Sequence, residues 1–106
     1  MTSATIHHLL EQISIPEAGI ISRTVYQDEQ IKAVLFGFAP GQELSEHTSA
    51  TPAIMHFVQG EARVTLGQEV VEATSNTWVH MPAHFPHSIL ARTPVVMLLL
   101  LLRGTR

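Results

Sequence analysis

The stretch GQELSEHTSATPAIMHFVQG, residues 41–60, decides the reading of this chain, together with MPAHFPH at 81–87. Gly41 is followed after five residues by His47, and Gly60 stands thirteen positions beyond that histidine. Gln59-Gly60-Glu61 separates two apolar runs, Ala53 to Val58 and Ala62 to Leu66, so it reads as a hairpin whose glycine takes a positive φ. Pro40-Gly41 closes the run before it.

Working outward, the same rhythm continues. Ile20 to Tyr26 is turned by Gln27-Asp28-Glu29, and Ile31 to Phe38 alternates Val34, Phe36 and Phe38 against smaller residues. After Gly67-Gln68 come Val70 to Ala73, Thr77 to Met81, His87 to Ala91 and Val95 to Leu102. Short strands between turn residues predict an all-β sandwich or barrel, and this inventory suits a jelly roll. Only Thr5 to Ile13 carries helical spacing, through Ile6, Leu9, Leu10 and Ile13, before Pro16 and Gly19 end it. Residues 1–19 are therefore expected to form an arm or short helix, and 20–106 the barrel.

The run Val95 to Leu102 is too short for a membrane helix, which needs about 20 apolar residues. It reads as a strand buried on both faces, or buried on one and covered by a subunit on the other. Leucine favours helices, so context rather than propensity carries that assignment.

A chain of 106 residues makes one domain with a real core, and it has no cysteine. Disulfides, thiolate zinc sites and thiol nucleophiles are thereby excluded. Met1 to Leu10 has no basic segment leading into an apolar run, so a cytoplasmic location is expected. Six basic residues and a formal charge of −3 disfavour nucleic-acid binding. A charged fraction of 14% beside 45% hydrophobic residues points to apolar surface covered by a second copy, hence a homodimer.

The paired motifs resemble those of the small single-domain cupins, and the resemblance covers roughly Val34 to Leu102. The first cupin motif runs glycine, five residues, histidine, one residue, histidine, three or four residues, an acid, six residues, glycine. Gly41, His47 and Gly60 match it, while Ser49 replaces the second histidine and Ala53 the acid. The second motif spaces glycine, proline, glycine, histidine and asparagine. Pro82 and His87 match, and Asn76, His84 and Ala91 stand where glycine, glycine and asparagine are usual. The resemblance implies a cupin-type jelly-roll β-barrel and a dimer. It also implies a metal site of three imidazoles and one carboxylate, of which this chain keeps half.

His47 and His87 are the candidate metal ligands, with His84 at the barrel rim as the third. The ion implied is divalent Fe, Mn, Ni, Zn or Cu. Two imidazoles alone hold such an ion loosely, a serine hydroxyl is a poor ligand, and an alanine offers nothing. Otherwise the two histidines hydrogen-bond to each other, to Ser49 or to water. His56 points away from the barrel interior if alternation runs unbroken from Ala53, and a bulge at Pro52 reverses that. For His56 and His80 a packed or interfacial role is the better reading, while His7 and His8 are solvated. Glu43, Glu46, Glu61, Glu69 and Glu72 are read as solvated.

Ser49, Ala53, Met55 and Phe57 are expected to line a cavity with mostly apolar walls. The functions open at this point are a small metal-dependent oxygenase, isomerase or lyase, a metal-free module binding a small organic molecule, and a dimeric scaffold. No nucleic-acid or membrane partner is expected.

Overall fold

The computed structural model describes residues 3–104. Nine strands are present among them: β1 (Ile20–Gln27), β2 (Ile31–Phe38), β3 (Glu43–His47), β4 (Ala53–Gln59), β5 (Ala62–Leu66), β6 (Glu69–Ala73), β7 (Thr77–Met81), β8 (His87–Ala91) and β9 (Val95–Leu102). They form a five-stranded sheet of order β1-β2-β9-β4-β7 and a four-stranded sheet of order β3-β8-β5-β6, antiparallel at every pairing. This is the all-β jelly roll expected from the turn spacing.

Alternation decides what fills the space between the sheets. Along β4, Ala53, Met55 and Phe57 are buried, while Ile54, His56 and Val58 are half-buried on the opposite face. The buried set meets Phe38, Val64, Met81, Ile89, Val95 and Met97 in one core. Each large apolar side chain buried there contributes about 1.5–3 kcal/mol relative to exposure.

The leucine run is the middle strand of the larger sheet. Val95, Val96 and Met97 are buried on both faces, and Leu98 to Leu102 are half-buried. Leu99 and Leu101 face inward. Leu98 and Leu100 share the outer face with their cross-strand partners His56 and Ile54, and exposed Trp78 sits opposite His56.

The N-terminal segment contains a single 3-10 turn, Leu9–Glu11. Ile6 and Leu10 are 81% and 52% exposed while Leu9 and Ile13 are half-buried, so the apolar stripe is only partly covered and does not sustain a helix. The segment instead runs as an arm over the outer face of the larger sheet. Arg23 Nη1 donates to the Gln12 carbonyl, and Ile13 and Ile15 lie against Gly37.

β3 is a strand the sequence reading did not anticipate. Its five residues include one apolar side chain, Leu44, and its burial shows no alternation. It stands at the edge of the smaller sheet and is held there by β8.

The motif glycines are explained by backbone geometry. Gly60 has φ +96°, and a Cβ there would run into the Pro94 carbonyl oxygen. Two further motif positions keep this conformation without glycine: Asn76 has φ 72° and His84 has φ 65°. Asparagine and histidine are among the side chains that tolerate the left-handed region best.

Candidate functional site

A cavity of about 350 Å³ opens between the sheets, walled by Phe36, Leu44, Ala53, Leu99 and Leu101 with His47, Thr48, Ser49 and His87. Two elements bring the histidines together. β3 and β8 run antiparallel, Leu44 opposite Ile89 and His47 opposite His87, so Ser45 and Glu46 stand against Ser88 alone. That bulge restores parity, letting Leu44 and His47, three positions apart, both face the cavity.

The two imidazole centroids lie 4.1 Å apart, with the planes tilted 56°. His47 Nδ1 is 2.8 Å from the Ser45 carbonyl oxygen, and His87 Nδ1 is 2.9 Å from that of Phe85. A carbonyl only accepts, so each Nδ1 carries a proton and donates it. In a neutral ring Nε2 then keeps its lone pair, available to the cavity. His87 is buried, at 4% exposure. Burial pushes its pKa below the ordinary imidazole value, against the Phe85 carbonyl and assisted by neighbouring His47.

Ser49 and Ala53 stand in the cavity wall. The Ser49 hydroxyl accepts from the Thr51 N–H at 3.2 Å and lies 3.3 Å from Thr51 Oγ1. Ser49 also ties the two motif loops together, its carbonyl accepting from the His84 N–H at 2.7 Å. His84 itself is exposed at the rim and forms no part of the cavity wall. Its peptide is committed to the loop contact, and its left-handed backbone supplies the turn that glycine usually makes.

Met55 and Phe57, also expected in the wall, stand deeper. They continue the inward face of β4 beyond Ala53, but at 1% and 0% exposure they are packed core and not cavity wall. The cavity is consequently confined to the end of the barrel marked by Ala53, Leu99 and Leu101. Sequence reading missed Leu44, Thr48, Leu99 and Leu101 as walls. The alternation of Phe36 was visible, but nothing in the leucine run marks which leucines turn inward.

His56 lies on the outer face, where its Nε2 is 3.4 Å from Asn76 Oδ1. The alternation from Ala53 is unbroken across β4's first five positions. His80 and Glu46 are exposed. Glu72 differs from the solvated acids around it: it receives Arg92 Nε and Nη2 at 2.8 and 2.9 Å.

The donor set does not fit a resident transition metal. Among the described residues no cluster of three or more His, Cys, Asp or Glu side chains forms a metal site. Ser49 offers a hydroxyl already bonded within its own turn, Ala53 a methyl, and no carboxylate enters the wall to offset a divalent charge.

A jelly roll with a histidine pair at one end defines a cupin-type barrel, and solved structures agree. A conserved protein of unknown function from Streptococcus pyogenes is 26% identical, with a TM-score of 0.85 over 100% of this chain and 93% of its own. A cupin superfamily protein from Desulfitobacterium hafniense is 24% identical, with a TM-score of 0.85 over 97% of this chain and 94% of its own. The salicylate 1,2-dioxygenase of Pseudoaminobacter salicylatoxidans shares the fold at 13% identity, with a TM-score of 0.74 over 86% of this chain and 27% of the enzyme. No family model matches the chain, and no curated protein does. The chain thus has the fold of the small cupin barrels, with a serine and an alanine at two positions where the motif usually places ligands.

Proposed function

We propose that this barrel binds a small organic molecule in the His47/His87 cavity without a resident transition metal. The observation that carries this reading is the histidine pair itself. Both rings are oriented through Nδ1 by backbone carbonyls, and both reach a largely apolar cavity that lacks a third imidazole or a carboxylate. A volume of about 350 Å³ suits one small molecule and lies at the low end of ligand sites generally. The apolar walls supply burial, and His47, His87, Thr48 and Ser49 supply the few polar contacts that fix orientation.

The test is metal uptake by two proteins. Wild type titrated with Zn²⁺ or Ni²⁺ is expected to show no tight binding and no rise in melting temperature. The double variant Ser49→His with Ala53→Glu returns the two missing donors, and it should take up about one equivalent and melt higher. Tight stoichiometric uptake by wild type, lost in the His47→Ala, His87→Ala double variant, would overturn the reading in favour of a metal-dependent enzyme.

The partner proposed for the outer face of the larger sheet is a second copy of this chain. Ile54, Leu98 and Leu100 form an apolar strip there, edged by His56 and His80, with Trp78 exposed at 59% beside it. An apolar strip is complemented by another of the same kind, as a two-fold interface supplies.

A further inference from the structure

Resting on the cavity reading above, we infer that the ligand is an uncharged molecule with an apolar body, presenting an O–H donor to the paired Nε2 atoms. The polarity of the wall carries this. The Ser45 and Phe85 carbonyls take the Nδ1 protons, so the nitrogen each neutral ring turns to the cavity is an acceptor. Two charged imidazoles 4.1 Å apart would repel each other, and no carboxylate in the wall stabilises them.

The rest of the wall agrees. The Ser49 oxygen accepts from the Thr51 peptide, and with Thr51 Oγ1 at 3.3 Å as the donor of their shared contact the serine proton is free for a ligand oxygen. A hydroxyl is the group that both accepts and donates, so it can satisfy an imidazole on one side and Ser49 on the other. An anion entering the same place would exchange its water shell for two lone pairs and an apolar wall of Phe36, Leu44, Leu99 and Leu101. A hydrocarbon of the same shape would leave the imidazole acceptors unpaired. The class that fits is a neutral alcohol or phenol of about single-ring size.

Three probes of one shape separate these cases: p-cresol, p-toluate and toluene. Binding to the full-length protein is read by calorimetry at pH 7.5, and by the imidazole nitrogen signals of His47 and His87 in NMR. The expected order puts p-cresol about 3- to 10-fold tighter than toluene, and p-toluate at least about 10-fold weaker than p-cresol. The Nε2 signals should move with p-cresol. His47→Phe, a change at an exposed ring, should bring p-cresol and toluene within about 2-fold of each other. Equal affinity for all three, or tightest binding of p-toluate, would overturn the ligand class while leaving the cavity reading standing. No binding of any probe at millimolar concentration, by protein that melts cooperatively, would overturn both.

Discussion

His87 shows how one residue's surroundings become a measurable property of the whole protein. It is buried, and burial is the largest reason its pKa lies below the ordinary imidazole value. The unfolded chain therefore takes up a proton at higher pH than the folded one, and stability falls as pH drops. The loss begins as pH passes down through the ordinary value, near 6.5. It is complete once pH lies below the depressed folded value. Melting temperature followed from pH 8 to 5 should fall more in wild type than in His87→Gln. Parallel curves would show that His87 is not the group responsible. Gly60 is the second residue with a large expected effect. A side chain there meets the Pro94 carbonyl and also holds an unfavourable φ, whereas nothing lies within 4 Å of a Cβ at Gly41. Gly60→Ala should lower stability by about 2–4 kcal/mol, against about 1 kcal/mol for Gly41→Ala, in denaturant titrations.

Among the elements, β4 joins the site to the core. Ala53 faces the cavity while Met55 and Phe57 fill the barrel, so one strand's inward face changes role along its length. Phe57→Ala should cost about 3–5 kcal/mol. Trp78→Ala on neighbouring β7 should cost about 0.5 kcal/mol or less in the monomer, its side chain being largely exposed. Comparable losses from the two would contradict the placement of the core. This strand was easy to read in sequence because its apolar run ends at the Gln59-Gly60-Glu61 turn. β3 was not legible, because Glu43-Leu44-Ser45-Glu46-His47 has one apolar side chain and a bulge that defeats parity counting. The histidine pairing and the rim position of His84 were legible from motif spacing, but the absence of the His84 side chain from the cavity wall was not. Its placement depends on a left-handed backbone and a contact to Ser49 that no local pattern announces. The same limit applied to Met55 and Phe57, whose inward direction was clear while the depth of the cavity was not.

For the whole molecule, the two faces of the larger sheet carry different tasks. The inner face closes the core and the cavity, and the outer face carries half-buried Ile54, Leu98 and Leu100 with exposed Trp78 beside them. If a second copy covers that strip, light scattering at micromolar concentration will give twice the chain mass of 11.7 kDa. Leu100→Lys should then halve that mass and leave the barrel folded. A monomeric wild type would contradict the interface. The chain keeps the cupin frame, with its turn glycines and their left-handed substitutes, while its cavity has exchanged two ligand positions for a hydroxyl and a methyl. Fold and ligand chemistry are thus separable in this barrel.

The central claim is that His47 and His87 serve the cavity as hydrogen-bonding groups and not as ligands of a resident ion. Metal content of tag-free protein, purified without chelator and measured by mass spectrometry, tests it most directly. The expected result is well under one equivalent of iron, manganese, nickel, zinc and copper together, in protein that is folded. About one equivalent of a single ion, disappearing in the His47→Ala, His87→Ala double variant, would contradict the account.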